Sequence, residues 1–258
     1  MNVVALVQAR MGSTRLPNKV MKPIQGIPMI ELLLSRLSKA NEIDKIVVAT
    51  SVDVRNQPLV EHVKKLGYAC EQGSENDVLD RFVQAAKIHQ ADVVVRITAD
   101  CPLIAPALVD EVVRGFKAVA VDYFSNVDPP TYPDGLSVEV CTFTALEKAS
   151  RETSKPYDRE HVTPYLRESG RFTTAGMKYS EDLSSLRWTV DEQVDFIVVE
   201  KVFNHFHPRI DFTWDEVLQL QRWQPELFVA NQHLVRNEGS ILSIEEKRKR
   251  AWQNQQGS

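Results

Sequence analysis

VVALVQARMGSTRLPNK, the stretch from Val3 to Lys19, joins a short apolar run to a loop that is dense in anion-binding groups. The run Val3–Val7 is entirely apolar, long enough for a strand buried on both faces and too short for a helix. Strands of this kind belong to parallel sheets that are covered by helices. The stretch therefore predicts an α/β fold in which a cationic loop follows the first strand.

The loop after this strand has the composition of a phosphate-binding site. Its cations, hydroxyls and glycine are Arg10, Gly12, Ser13, Thr14, Arg15 and Lys19. Open α/β sheets bind ligands at the carboxyl ends of their strands, so the position of the loop agrees with its chemistry. The spacing excludes a P-loop, because Lys19 follows an asparagine, and it excludes the dinucleotide fingerprint, which needs three glycines. A solvated basic loop is the remaining alternative.

The composition of the whole chain limits its class. The 258 residues suffice for one large α/β domain, and 31 Lys and Arg against 35 Asp and Glu give a net charge of −4. An acidic protein with a local basic loop is typical of binding to a small anion and not to nucleic acid. Three cysteines without metal spacing and the lack of a long apolar run predict a cytoplasmic protein that does not enter a membrane.

Apolar runs alternate with helical patterns up to about residue 125. Strands are predicted at 45–50, 68–71, 93–98 and 122–125, and helices at 29–40, 58–66, 77–89 and 106–117. This βαβ order predicts a mostly parallel sheet with helices on both faces.

From Val127 the pattern loosens into a proline-rich loop and less regular segments. Strands are predicted there at 136–143, 172–179 and 187–190, and helices at 145–151 and 157–168. We expect one domain over residues 1–235 with a smaller insertion at about 127–180, followed by a charged helix or tail at 236–258. Acidic neighbours of its KRKR run favour a solvated face over nucleic-acid binding.

Two aspartates stand where predicted strands end. Asp100 follows the strand at 93–98, and Asp191 follows the strand at 187–190. Each could simply cap the next helix. However, Mg²⁺ on a phosphate substrate needs only one or two carboxylates beside phosphate oxygens and water. Two such aspartates and a cationic loop in one chain favour a shared metal and phosphate site. Asp134, Glu139 and His161, which opens a predicted helix with Arg159, are placed where a second substrate could bind; His161 could equally be a structural hydrogen bonder.

Six segments, in this order, resemble the cytidylyltransferase family that includes the CMP-sialic acid and CMP-KDO synthetases, and within it the SpsF group of spore coat polysaccharide proteins. They are ARMGSTRLPNK (9–19), ENDVLDRF (75–82), RITADCPLI (96–104), YPDGLSVEV (132–140), REHVTPYLR (159–167) and RWTVDE (187–192). The resemblance implies a Rossmann-like nucleotidyltransferase fold and the transfer of CMP from CTP to an acid sugar or related glycan precursor, with release of pyrophosphate. It also implies a homodimer formed through the insertion.

The resemblance further implies roles for individual residues. The nucleotide would be bound by Arg10, Gly12, Ser13, Arg15, Lys19, Ser74 and Arg81. The Mg²⁺ ligands would be Asp100 and Asp191, and the catalytic residues Arg10, Lys19, Asp100 and Asp191. We expect the acceptor to meet Asp134, Glu139 and His161. Relatives commonly read LPGK in the loop, where this chain has Asn18; asparagine tolerates positive φ best among the non-glycine residues, so we expect the turn to persist.

Three other functions remain open. A metal-dependent glycosyltransferase that uses a nucleotide sugar would share the sheet, but such enzymes typically carry a D-x-D motif, and Asp100 is followed by Cys101 and Pro102. A nucleotidyltransferase acting on a phosphate or phosphonate acceptor is a second possibility. A non-catalytic nucleotide-binding regulator is a third; the retention of Lys19 together with both aspartates argues against it.

Overall fold

A computed structural model describes residues 1–236 and shows a sheet covered by helices. The strands are β1 (Val3–Gln8), β2 (Pro23–Ile24), β3 (Ile27–Pro28), β4 (Lys45–Ser51), β5 (Ala69–Gly73), β6 (Val93–Thr98), β7 (Tyr123–Ser125), β8 (Glu139–Thr142) and β9 (Thr174–Gly176). The helices are α1 (Met29–Leu37), α2 (Gln57–Lys65), α3 (Val78–Ile88), α4 (Pro106–Ala118), α5 (Phe143–Glu152), α6 (Pro156–His161), α7 (Pro164–Glu168), α8 (Gln193–Phe206) and α9 (Trp214–Trp223).

The main sheet has seven strands in the order β5–β4–β1–β6–β8–β7–β9. Strands β5, β4, β1 and β6 run parallel, β8 is antiparallel to both of its neighbours, and β9 is parallel to β7. The predicted α/β class with a mostly parallel sheet is confirmed. Because β1 lies between β4 and β6, the loop that follows it emerges at the middle of the carboxyl edge.

Both faces of the sheet are buried. Side chains alternate along β1, so Val3, Ala5 and Val7 enter one core and Val4 and Leu6 the other. The first core contains apolar residues of α1, α2, α4, α8 and α9. The second contains apolar residues of α3, α5 and α7. None of the helices in residues 1–236 has the length and apolar character that a bilayer crossing requires.

Two predicted elements of the second half differ from the structure. The single helix predicted at 157–168 is wrong: α6 ends at His161, Val162 has a φ of 73°, and Pro164 begins α7. Proline disfavours a helical residue before it and has no N–H to continue the helix, which explains the break. The predicted strand at 187–190 is not part of the sheet; Arg187 makes an isolated bridge with Asp134. Except for Arg236, the predicted C-terminal helix or tail lies outside the described residues.

Candidate active site

The loop after β1 is closed by its own backbone. The carbonyl of Met11 accepts hydrogen bonds from the N–H groups of Ser13 at 2.9 Å and Asn18 at 3.1 Å. Asn18 is left-handed, with φ 58° and ψ 20°, as its position in the loop predicted. A short 3₁₀ helix, Lys19–Met21, follows it. This turn directs the Lys19 side chain back across the carboxyl edge of the sheet.

Lys19 links two distant parts of the chain. Its Nζ donates to the carbonyl of Val190 at 2.8 Å and to Oδ1 of Asp191 at 2.9 Å, and it lies 3.4 Å from Oδ2 of Asp100. Burial lowers the pKa of Lys19, but the two carboxylates more than offset this, so the pKa lies above its usual value. Lys19 is therefore a charged ammonium held between the two predicted metal-binding aspartates.

Asp100 and Asp191 meet at one site, and neither is a helix cap. The N-cap of α4 is Ala105 and that of α8 is Glu192, so the capping alternative is wrong for both aspartates. Burial raises the pKa of Asp191, but Lys19 and the neighbouring arginines outweigh it and lower the pKa below its usual value. Asp191 is thus ionised at neutral pH. Both side chains keep about a quarter of their surface exposed, 28% for Asp100 and 24% for Asp191.

Asp134 lies beside this pair. Arg187 Nη1 is 3.4 Å from Asp134 Oδ2, and Arg187 Nη2 is 3.4 Å from Asp191 Oδ2. Burial raises the pKa of Asp134 above its usual value; Arg236 and Arg187 lower it in part, and the negative charges of Asp100 and Asp191 raise it. The structure therefore brings one predicted acceptor residue, Asp134, next to the predicted metal ligands.

Gly135 allows the segment around Asp134 to approach the segment that carries Asp191. Its φ is 111°, and a Cβ built on it would lie 2.6 Å from the carbonyl carbon of Trp188 and 2.7 Å from the backbone nitrogen of Thr189. Asp134 pairs its backbone with Leu186 at 2.8 Å and Trp188 at 2.6 Å. Only glycine has both the conformational freedom and the small size that this contact requires.

The cations of the loop lie on two sides. Arg15 faces Asp191, with Nη2 3.3 Å from Oδ1. Arg10 lies on the other side, 3.9 Å from Glu75. Arg81 is near it: burial lowers the pKa of Arg81 to about 10, and the charge of Arg10 contributes to this. Arg81 is buried and donates to the carbonyl of Ser74 at 3.2 Å. The predicted nucleotide residues thus surround the edge of the sheet from both sides.

Sequence reasoning missed the residues that support the loop from β4. The buried Asn56 accepts from the N–H of Met11 at 2.8 Å and donates to Ser51 Oγ at 2.7 Å. Ser51 Oγ in turn donates to Glu75 at 3.2 Å. Arg55 lies over Gly12, with Nη1 3.8 Å from the position a Cβ would take there. The only signal in the sequence was that these residues follow a predicted strand.

Glu139 and His161 are placed differently from the prediction. Glu139, on β8, is 4% exposed and accepts from Arg96, from the Tyr123 hydroxyl at 2.6 Å and from Thr163 at 2.6 Å. These internal bonds occupy its carboxylate, so Glu139 holds its neighbours and direct contact with an acceptor is not supported. His161 ends α6 and does not open a helix; its ring lies 4.5 Å from that of Tyr157.

Asp100 and Asp191 are the carboxylates that face Lys19 and could offer oxygen ligands to a cation. Within residues 1–236 there is no group of three or more His, Cys, Asp or Glu side chains arranged to hold a metal. Two partly exposed carboxylates, those of Asp100 and Asp191, fit Mg²⁺ when substrate phosphates and water complete its six ligands. A cation bound between Asp100 and Asp191 would require the Lys19 ammonium to move towards those phosphates.

Comparisons with known proteins agree with the sheet and its loop. Residues 4–222 match the model of a family described as cytidylyltransferase. An uncharacterised protein of Methanocaldococcus jannaschii is 40% identical over 209 residues, which cover 80% of this chain and 85% of that protein. The spore coat polysaccharide biosynthesis protein SpsF of Bacillus subtilis is 28% identical over 87% of this chain and 96% of its own length.

A solved structure is similar over nearly its whole length. The cytidylyltransferase from Leptospira borgpetersenii serovar Hardjo-bovis superposes with a TM-score of 0.85 at 30% identity, covering 91% of this chain and 98% of that one. The fold is thus that of a nucleotidyltransferase, an enzyme class that uses nucleoside triphosphates. The chain belongs to the cytidylyltransferase family, whose members use CTP, and the resemblance found in the sequence is confirmed.

Proposed function

We propose that the protein transfers CMP from CTP to an acid sugar or a related glycan precursor, with release of pyrophosphate, in a Mg²⁺-dependent reaction. The observation that carries this proposal is the cluster of Lys19, Asp100 and Asp191 at the end of the cationic loop. The domain of residues 1–235 would supply the nucleotide site, and its insertion at about 127–180 would supply acceptor contacts.

The reaction needs positioning and charge neutralisation more than covalent help from the protein. An acceptor oxygen would attack the α-phosphorus of CTP in line with the departing pyrophosphate. Arg10, Arg15 and Lys19 would neutralise the triphosphate, with Gly12 and Ser13 offering backbone and hydroxyl donors. Mg²⁺, when bound, supplies further neutralisation of the phosphate oxygens, and Asp100 and Asp191 would hold it.

The remaining predicted residues divide between the two substrates. Ser74 and Arg81 would serve the nucleotide; the buried Arg81 guanidinium donates to the carbonyl of Ser74 and feels the charges of Arg10 and Glu75. Asp134 lies at the metal side and would meet the acceptor. His161 is kept as an acceptor candidate on its position in the insertion. Similarity to the spore coat polysaccharide biosynthesis protein SpsF supports a polysaccharide precursor as the acceptor class.

Incubation with CTP, Mg²⁺ and a panel of acid sugars, while pyrophosphate is followed, tests the proposal. We expect pyrophosphate release only with a suitable acceptor and only with CTP. Phosphate and phosphonate acceptors in the same panel test the alternative acceptor class. Consumption of a nucleotide sugar without consumption of CTP would instead identify a glycosyltransferase.

Replacement of Lys19 by alanine is expected to raise the KM for CTP by about 10- to 100-fold, with a smaller effect on kcat. One charge-assisted bond to a phosphate contributes about 1.5–3 kcal/mol. Initial rates of pyrophosphate release at varied CTP measure the effect. Lys22→Ala, on the same turn, serves as the control and should keep the wild-type KM; an unchanged KM in Lys19→Ala contradicts the role of the ammonium.

The insertion is also proposed to pair two subunits. Strand β9 lies at the edge of the sheet, so one side of its backbone has no neighbouring strand in residues 1–236. Edge strands offer free backbone groups to a partner. Sedimentation velocity over a range of protein concentrations should show a dimer. A monomer at all concentrations would reject this assembly.

A further inference from the structure

Asp195, in the first turn of α8, organises the backbone that carries Asp191. Its side chain is completely buried and accepts from the N–H groups of Asp191 and Glu192, both at 3.0 Å. It also accepts from Nε of Arg187 at 2.8 Å and Nη2 of Arg187 at 2.9 Å. With Asn231 as a further donor, at 2.9 Å, five N–H groups use the lone pairs of this carboxylate. Asp195 is therefore saturated by the protein and is not itself available to a ligand.

Arg187 connects the buried Asp195 to Asp134 and Asp191 at the site. Its side chain is 6% exposed, and two of its nitrogens are fixed on Asp195. The guanidinium plane is therefore set, and Nη1 and Nη2 lie 3.4 Å from Asp134 and Asp191, respectively. Since a guanidinium is planar and rigid, fixing one edge fixes the other. The direction of the Asp191 carboxylate thus depends on a group that does not reach the site itself.

Asn231 donates hydrogen bonds to both members of the Arg187–Asp195 ion pair. It lies in a 3₁₀ helix, Val229–Asn231, and is 2% exposed. Its Nδ2 donates to Oδ1 of Asp195 at 2.9 Å and to the carbonyl of Arg187 at 3.1 Å. Arg236, further along the same segment, donates to the carbonyl of Tyr132 at 3.0 Å. Tyr132 stands two residues before Asp134.

These supports lie outside the part of the chain that matches the family model. The match ends at residue 222, whereas Asn231 and Arg236 follow it. The segment packs the buried Phe228 against the first core. In addition, it directs the buried Asn231 amide at the ion pair beside Asp191.

We propose that residues 225–236 form a support for the active site and that Asn231 is a positioning residue for Asp191. This inference rests on the proposed function, because Asp191 is taken as a ligand of the cation that accompanies CTP. Loss of the Asn231 amide frees Asp195 and Arg187 to move, and Arg187 can then compete with the cation for Asp191. Outer-shell partners of metal ligands typically change metal affinity by 10- to 100-fold.

Asn231→Ala tests the proposal by binding as well as by rate. Mn²⁺ is the probe, and its affinity for the full-length protein in the presence of CTP is measured from water proton relaxation, which needs no turnover. We expect the Kd of Mn²⁺ to rise about 10-fold. The Kd of CTP measured without metal should stay within about twofold, because Asn231 contacts no predicted phosphate-binding residue.

Two controls separate positioning from loss of stability. Gln232→Ala changes the exposed neighbour of Asn231 and should leave the affinity for Mn²⁺ unchanged. Val63→Ala opens a small cavity under α2, so it lowers Tm without touching the site. If Asn231→Ala does not fold, Asn231→Ser shortens the donor with less disturbance and takes its place.

The outcomes are distinct. The inference is overturned if Asn231→Ala binds Mn²⁺ as tightly as Gln232→Ala does. It is also overturned if Val63→Ala, with the same Tm as Asn231→Ala, loses as much affinity for Mn²⁺. A wild-type protein that neither releases pyrophosphate from CTP nor binds Mn²⁺ with CTP overturns the proposed function first. A wild-type protein that does both, with weakened Mn²⁺ binding only in the Asn231 variants, supports the inference.

Discussion

Replacement of Asp100 or Asp191 by asparagine is expected to lower the rate of pyrophosphate release by about 10³-fold and to leave the fold intact. Each change removes one of the two carboxylates that face Lys19. A lost Lewis-acid site costs several kcal/mol of transition-state stabilisation, and about 4 kcal/mol corresponds to 10³-fold in rate. The fold should persist because asparagine has nearly the same shape and both side chains are partly exposed.

Single-turnover and steady-state rates at limiting and saturating Mg²⁺ measure this effect, and circular dichroism checks the fold. Asp215→Asn is a matched control, because this exposed aspartate lies in the first turn of α9, away from the loop. It should retain the wild-type rate. Wild-type rates in both active-site variants at limiting Mg²⁺ would reject the metal site.

Replacement of Gly135 by alanine is expected to lower the free energy of unfolding by about 4 kcal/mol. The strained φ contributes about 1–3 kcal/mol, and the clash with the backbone of Trp188 and Thr189 adds the rest. The clashing atoms are backbone atoms, which cannot change rotamer to relieve the overlap as a flexible side chain could. The displaced segment includes the chain leading to Asp191, so we also expect activity to fall.

Urea unfolding compares this variant with Gly170→Ala. Gly170 also has a positive φ, 69°, but nothing lies within 4 Å of its added Cβ. The free energy of unfolding of Gly170→Ala should therefore fall only by the cost of the left-handed conformation, about 1–2 kcal/mol. If both variants lose the same free energy of unfolding, the close approach of the two backbones at Gly135 does not explain the need for glycine there.

Local pattern predicted the elements that carry the loop and Asp100. The apolar run of β1, the strand ending before Asp100 and the left-handed Asn18 all follow from residues that are close in sequence. The strand-end rule then placed the loop and Asp100 at the same edge of the sheet. Asp191 was placed correctly beside them, although its own segment is not a strand of the sheet.

The supports of the site could not be predicted in this way. Asn56 meets Met11 across 45 positions, and Asn231 meets Asp195 across 36, so neither contact leaves a periodic signal. Glu139 lies opposite Arg96 because β8 is antiparallel to β6, and one acidic residue in an otherwise uncharged run does not reveal such a partner. Buried polar networks are specified by the assembled fold.

The ion pairs of Lys19 also set an order of events in the making of the protein. Its ammonium joins residues 81 and 172 positions further along the chain. At about 5–20 residues per second, synthesis reaches Asp191 roughly 10 to 35 s after Lys19. The parallel strands β1, β4 and β5 and their helices are then already available to fold. The ion pairs of Lys19 therefore form after these strands are available, and CTP can stabilise the finished protein by mass action.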